Sequence, residues 1–320
     1  MTAGSRHAVR VREAQNVAVG VKSLEFELVD GGRLPAAIAG QFINVVLDEG
    51  LTRSYSLINP TSRAPRSYSI AVGLAENSRG GSLRVHEVIE AGHTLTISGP
   101  DGKFVLADPT AHSVFIAGGI GITPIYAMIR ELDAAGGSWE LHYAVRSRDR
   151  AAFLPELASF DQDDSKVHLY VDDEVGPLTL PINDIVNGAA QTTHLYCCGP
   201  APMIDAFLSA GRSRPSSTVH TERFTSEVEG ATGGFTIELA KSGMALQVPE
   251  NASILDVVLD AGIDIEFSCE EGICGSCRTE VLHGQPDHRD AILTEAERDA
   301  GDTMFICCSG SKGGCLVLNL

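Results

Sequence analysis

The feature that most constrains this chain is a cysteine spacing. Cys269, Cys274 and Cys277 stand as C-x4-C-x2-C, and Cys307 follows after 29 further residues. That is the spacing of a plant-type [2Fe–2S] site. A loop must wrap a small inorganic core and present three thiolates from one side, while a fourth arrives on a returning strand. Gly272 and Gly275 suit the left-handed turns of such a wrap, which aims backbone N–H groups at sulfur. A structural zinc site usually pairs two short C-x2-C units, and Cys307 has no such mate. Disulfides need an oxidising compartment, which nothing else in the sequence suggests.

The other 230-odd residues must then be explained. A chain of 320 residues, 43% hydrophobic, suits two or three globular domains. No apolar run reaches the 18 residues of a membrane span. Residues 1–7 lack the apolar stretch of a secretion signal, so a reducing cytoplasm is expected. Four of the eight cysteines, Cys197, Cys198, Cys308 and Cys315, remain and are expected as buried thiols. Net charge is −18 and uneven: residues 235–320 carry 15 acidic and 5 basic side chains, leaving 27 and 19 for the first 234 residues. The last 86 residues are therefore more than three times as acidic per residue. This disfavours nucleic-acid binding. It suits docking onto a basic partner, or simply solubility.

Residues 6–98 read as short alternating runs: Val17–Val21, Leu24–Val29, Phe42–Leu47, Ser67–Val72 and Leu95–Ile97, with turn signals between them. With one helical segment over Ser82–Ile89, they predict a small β-barrel. Arg53-Ser54-Tyr55-Ser56 enters a strand. Arg suits phosphate because its planar fork makes paired, charge-assisted bonds. Asn77-Ser78-Arg79-Gly80-Gly81-Ser82 opens the helix, where glycines let N–H groups approach an anion. The same residues also make an ordinary turn with Ser82 as N-cap. The four letters R-x-Y-S resemble the flavin site of the ferredoxin reductase superfamily.

Beyond a hinge at 99–104, Ser113–Ala117 is a continuous apolar strand running into Gly118-Gly119-Ile120-Gly121-Ile122-Thr123-Pro124 and a helix. Strand, glycine turn and helix form the pyrophosphate-binding arrangement of open α/β sheets, though this is not the G-x-G-x-x-G fingerprint. Further buried strands alternate with helices, which implies a parallel sheet. One of them, Thr193–Cys198, runs into Gly199-Pro200-Ala201-Pro202-Met203 at its carboxyl end. His220-Thr221-Glu222-Arg223-Phe224 closes the unit, and the glycine-rich stretch 226–234 reads as a linker. A hairpin, then a helix with Ser253 as N-cap and Asp256 at N3, leads into the cysteine loop. This last part resembles plant-type ferredoxin.

The whole order resembles the phthalate dioxygenase reductase family. The resemblance rests on Arg53–Leu57, Arg79–Ser82, Gly118–Pro124, Tyr196–Pro200, the cysteine loop, Asp287-His288-Arg289-Asp290 and Leu316–Leu320. It implies a multidomain fold: a flavin-binding β-barrel (6–102), an α/β nucleotide-binding domain with a parallel sheet (103–225), the linker 226–234, and a β-grasp ferredoxin domain (235–320). It implies FMN held by Arg53, Ser54, Tyr55, Ser56, Ala71, Val72, Arg79, Gly80, Gly81, Ser82, Thr123 and Phe224. NADH would lie on Gly118, Gly119, Gly121, Thr123, Arg146, Cys198, Gly199, Pro200 and Met203. Cys269, Cys274, Cys277 and Cys307 would hold the cluster. Cys308 is adjacent, but successive strand residues face opposite sides, and the family pattern aligns Cys307. Arg146-Ser147-Arg148 could hold the 2′-phosphate of NADPH, whereas Asp172-Asp173 would repel one if they lie near the ribose, and the family resemblance implies NADH. The implied role is a monomeric reductase that passes single electrons to a terminal Rieske oxygenase, such as a ring dioxygenase or demethylase. A cytochrome P450 partner, or a redox-sensing protein, are the alternatives.

Overall fold

The computed structural model describes residues 6–48, 51–60, 63–75, 80–161, 165–176, 180–224, 230–250, 252–267, 269 and 272–320. Contacts divide the chain into two compact units, Met1–Arg223 and Phe224–Leu320.

The first unit opens with β1 (His7–Ala18), β2 (Val21–Leu28), β3 (Phe42–Asp48), β4 (Leu51–Ser56), β5 (Ser67–Gly73), α1 (Gly81–Glu87) and β6 (Thr94–Asp101). The six strands form one sheet in the order β4-β3-β6-β1-β2-β5. An antiparallel bridge from Leu57, just after β4, to Ile70 of β5 joins the two edges into a barrel. Val9, Leu24, Phe26, Ile43, Val45, Tyr68, Ile70 and Val85 fill it. The run Val17–Val21, expected as a strand, is instead the tip of the β1–β2 hairpin. Gly20 takes a left-handed φ of 71° there and reverses the chain. The strand starts ten residues earlier, with Val9 and Val11 inward.

A second sheet follows, with β7 (Ser113–Gly118), α2 (Ile122–Ala134), β8 (Trp139–Val145), α3 (Leu154–Phe160), β9 (Val167–Val171), α4 (Asp172–Val175), α5 (Ile182–Gly188), β10 (His194–Cys198), α6 (Ala201–Ala210) and β11 (Val219–Glu222). All its pairings are parallel, in the order β11-β10-β7-β8-β9. The chain runs outward from β7 to β9 and then returns to the other side of β7. The order therefore reverses between β7 and β10, where such sheets open a crevice at their carboxyl ends. The buried β7 carries no polar alternation because helices cover both faces.

The second unit contains β12 (Phe235–Leu239), β13 (Met244–Val248), α7 (Ile254–Asp260), β14 (Arg278–Asp287), α8 (Glu295–Ala300), β15 (Thr303–Phe305) and β16 (Gly310–Leu318), with sheet order β13-β12-β16-β14-β15. A hairpin, a helix and a returning strand parallel to the first make a β-grasp fold. The expected cap is present: the Ser253 hydroxyl accepts from the Asp256 N–H and the Asp256 carboxylate accepts from the Ser253 N–H. Within the stretch expected as a linker, the Ala231 N–H donates to the Cys308 carbonyl and the Gly234 N–H to that of Val248, so 231–234 belong to this fold. Of the four spare cysteines, Cys197, Cys198 and Cys308 are buried. Cys315 is exposed, against expectation, because Leu316 and Leu318 take the inward face of β16 and leave it outward. Among the described residues no helix is long and apolar enough to cross a membrane.

Candidate functional site

The flavin motif lies on the free edge of β4, which pairs only with β3 among the described strands. Alternation puts Arg53 and Tyr55 on one face and Ser54 and Ser56 on the other. A ligand that touches both sets must therefore run along the strand edge. The bridge Leu57–Ile70 brings Ser56 and Tyr55 across from Ala71 and Val72, where the two edges part. Helix α1 spans the gap. His86 Nε2 meets the Val72 carbonyl at 2.9 Å, and the Ser82 hydroxyl accepts from the Ala75 N–H at 3.1 Å. A Cβ on Gly81 would stand 2.7 Å from Arg53 Cγ, so only glycine lets the first turn rest on the arginine stem. The helix starts one residue earlier than expected. Gly80, with φ 89°, is its N-cap, and Ser82 sits inside the first turn. Its Oγ accepts from the Ala75 N–H.

The Tyr55 hydroxyl is buried and without a partner among the described residues. Burial pushes its pKa up, opposed by Arg53, so it remains a neutral donor. A buried hydroxyl left unpaired costs about 1–3 kcal/mol, which a ligand acceptor would recover. This orphan and the glycine cradle fit a flavin phosphate and ring. Ser54 donates to Asn44 at 2.8 Å. Arg79 lies outside the described residues. Phe224 is the half-buried first residue of the second unit.

The two glycine motifs of the parallel sheet meet at the crevice between β7 and β10. A Cβ on Gly121 would come within 2.2 Å of the Cys198 carbonyl oxygen. One on Gly118 would meet Pro200 Cδ at 2.6 Å, and one on Gly199 would meet Met203 Sδ at 2.7 Å. Gly119 takes φ 53° with open space around it. The Tyr143 hydroxyl donates to its carbonyl at 3.2 Å and pins the turn. The Thr123 hydroxyl donates to Ile120 at 3.0 Å. Ile120 in turn lies against Gly73 at the end of β5, where an added Cβ would approach to 3.1 Å. The end of β5 and the Gly118–Gly121 turn thus share a wall.

Sequence reasoning passes over Glu222. It is the residue paired with Cys198 across β10 and β11. Its Oε2 is buried without a partner among the described residues. Burial pushes its pKa up to about 8. Cys198 is pushed well above its ordinary value, first by burial and then by Glu222, so it stands as a neutral thiol. The available signal was an acid ending a strand beside the Cys-Gly-Pro turn.

At the outer side of the crevice Arg146 is exposed, and the Asp173 N–H donates to its carbonyl at 3.0 Å. Asp172 and Asp173 therefore stand next to it. Arg148 makes a two-pronged contact with Glu174, both bonds 2.9 Å. Of the basic pair read as a possible 2′-phosphate site, Arg148 is thus already engaged by a carboxylate.

In the second unit the four cysteine sulfurs gather as two pairs. The Ile273 N–H points at Cys269 Sγ at 3.4 Å and the Cys269 N–H at Cys274 Sγ at 3.5 Å. The Cys269 thiol donates to Cys274, which lowers Cys274 to about 5 and raises Cys269. Cys307 lies within hydrogen-bonding reach of Cys277, the leading cause of its raised pKa, and of the Gly272 N–H. Gly272 and Gly275 take φ of 70° and 85°. Cys308 Sγ lies within hydrogen-bonding reach of Cys307, and also of Phe305 O at 3.7 Å and Ser309 Oγ at 3.8 Å. Its sulfur would lie 2.4 Å from a Cβ on Gly272, so the cysteine fills the space that the glycine leaves. The Asp287–Asp290 segment braces the loop. The Ala291 N–H donates to the Gly272 carbonyl at 3.0 Å, and the fully buried Asp290 carboxylate accepts from the Ile292 and Leu293 N–H groups. Paired thiols under inward N–H groups fit a cluster of two irons. Glu270 and Glu271 lie outside the described residues.

Two family models match: the 2Fe-2S iron-sulfur cluster binding domain over residues 237–311 and the oxidoreductase NAD-binding domain over 115–208. Phenoxybenzoate dioxygenase subunit beta of Ectopseudomonas oleovorans is 44% identical over 283 residues, 88% of this chain and 87% of that protein. The crystal structure of phthalate dioxygenase reductase, described as modular for electron transfer from pyridine nucleotides to [2Fe–2S], aligns with a TM-score of 0.78 at 34% identity. That alignment covers 99% of this chain and 98% of the other. An intact type IV self-sufficient cytochrome P450 monooxygenase aligns with a TM-score of 0.82 at 36% identity over 98% of this chain, which spans only 41% of that longer protein. Similarity of this degree over nearly the whole chain, with both family models in place, means that the chain belongs to the phthalate dioxygenase reductase-like family.

Proposed function

We propose that this protein is the reductase of an oxygenase system, taking electrons from NADH through FMN and a [2Fe–2S] cluster to a terminal Rieske-type oxygenase. One observation carries the reading: a flavin-suited edge and a nicotinamide crevice share a wall in one unit, and the same chain holds a four-thiol array. When bound, the three groups would supply two-electron donation from a nicotinamide, its division at a flavin and one-electron transfer at a cluster. The chain's residues position and insulate. Arg53 with Gly80 and Gly81 receives the flavin phosphate, and Tyr55 and Ser56 hold the ring along the β4 edge. Gly118, Gly119 and Gly121 leave room for the pyrophosphate against Gly199 and Pro200, with Met203 beneath. Cys198 and Glu222, both uncharged at neutral and lower pH, keep the nicotinamide pocket free of fixed charge. Asp172, Asp173 and Glu174 disfavour a 2′-phosphate, so NADH is the substrate. Cys269 and Cys274 would hold one iron, Cys277 and Cys307 the other. The protein works in the cytoplasm as a monomer.

Anaerobic NADH should bleach the cluster's visible absorbance in the wild type. Cys277→Ser should keep NADH–ferricyanide turnover through the flavin and lose transfer to a cytochrome acceptor. Full cytochrome reduction by that variant would sink the proposed order. The second reading, a cytochrome P450 as acceptor, is favoured by the match to the self-sufficient monooxygenase. Turnover reconstituted with a Rieske oxygenase and with a P450 from the same host separates the two.

A further inference from the structure

The outer strands of the nucleotide-binding sheet carry a cluster that the electron path does not use. Glu140 and His142 lie two residues apart on β8 and so share a face. His168 lies on β9 directly across from His142 in the parallel register. Their rings stack 4.9 Å apart. His142 Nε2 and His168 Nε2 each lie 3.0 Å from the same Glu140 oxygen. The three candidate ligand atoms fall within 4.8 Å of one another.

We propose that Glu140, His142 and His168 form a binding site for a borderline divalent transition ion, zinc foremost. Two imidazoles and one carboxylate are a donor set that suits this class, with the remaining position open to water. Zinc binds nitrogen and oxygen at about 2.0–2.2 Å, which in a tetrahedron sets ligand atoms about 3.3 Å apart. Both N···O separations reach that value with a shift of a few tenths of an ångström. The far nitrogen of His142 meets the Tyr170 hydroxyl at 3.0 Å. This is the outer contact that fixes ring orientation in metal-binding histidines. Glu140 and His168 are about one-third exposed, so an ion can reach the site.

The site is separate from the nicotinamide crevice. Glu140 and His142 are in register with Val114 and Ile116 of β7, well before Gly118 at the carboxyl end, and one strand further out. An ion there clamps β9, an edge strand, onto β8. Its effect falls on the stability of this sheet and not on electron transfer.

The sole tryptophan of the chain, Trp139, precedes Glu140 and is buried. Its fluorescence reports the site at short range. Titrating nickel into the cofactor-loaded protein should give saturable quenching at one equivalent, reversed by zinc. His168→Gln and Glu140→Gln, each retaining NADH–ferricyanide turnover, should weaken nickel at least about tenfold, and Tyr170→Phe by about tenfold through the lost outer contact. Quenching that does not saturate, or that is unchanged in both His168→Gln and Glu140→Gln, would overturn the proposal. The trio is then a hydrogen-bonded cluster in which Glu140 accepts from two imidazoles.

Discussion

At the residue scale, the adjacent cysteines touch each other and yet meet different neighbours. Cys307 meets Cys277 and the Gly272 N–H, whereas Cys308 fills the hollow under Gly272. Cys307→Ser should therefore abolish the cluster's absorbance, and Cys308→Ser should retain it with some loss of stability. Equal spectra from the two variants would reverse the assignment. Glu222 carries a linkage of unusual sign. Its pKa rises from 4.5 to about 8 on folding, so between these values the folded state binds more protons than the unfolded one. Stability from this group is thus full below pH 4.5 and falls as pH rises toward 8. Glu222→Gln should flatten the decline, read as the urea midpoint measured from pH 5 to pH 8. A slope equal to that of the wild type would mean that the carboxyl is already ionised in the native state.

At the scale of elements, turns and helices are held where the sites need them by contacts from distant segments. Lys22 is buried on β2 and donates to the Ile89 carbonyl at 2.7 Å and to Glu90 at 2.9 Å, just past the end of α1. A cation there satisfies carbonyls left over at the helix C-terminus. It fixes the helix that spans the flavin edges. The Gly121 turn is held as tightly. Gly121→Ala puts a Cβ against the Cys198 carbonyl, at 2.2 Å with backbone on both sides, so the turn has to move. A displacement of about 1 Å in a hydride-transfer site costs on the order of 100-fold. The expected result is a fall of that size in kcat/KM for NADH, with flavin content preserved. Near-normal kinetics would show that the nicotinamide does not lie on this turn. The glycine motifs were legible in the sequence as types. Their mutual packing was not, because it depends on β10 returning to lie beside β7.

For the whole molecule, charge and chemistry are distributed along the chain. Residues 235–320, which hold the cysteine array, carry 15 of the 42 acidic side chains and only 5 of the 24 basic ones. An electrostatically guided encounter weakens as salt shortens the Debye length. The oxygenase-coupled rate should fall as ionic strength rises from about 0.01 M to about 0.15 M, over which that length drops from roughly 30 Å to 8 Å. NADH–ferricyanide turnover is the control for effects on the nucleotide site itself. A coupled rate indifferent to salt would make the acidity a matter of solubility alone. The order of three modules was also legible: alternating runs, buried strands between helices, and a hairpin before a cysteine loop each have their own period. The hairpin at Gly20 and the true start of β1 were missed, because an apolar run with one glycine reads as a strand until the reversal is seen.

The sequence by itself determined the chemistry. Spacing along a loop decides whether four thiols can enclose an iron–sulfur core, and glycine-rich turns after strands decide where phosphates can approach. Both are local properties, carried by neighbouring residues. Only the tertiary structure decided the non-local partners: Cys307 rather than Cys308 beside Cys277, Glu222 beside Cys198, Asp173 beside Arg146, and His168 opposite His142. Glu222 with Cys198, and His168 with His142, meet through strand order and register, and a shift of one residue would turn these side chains to the other face of the sheet. No pattern within a single strand specifies its neighbour across the sheet.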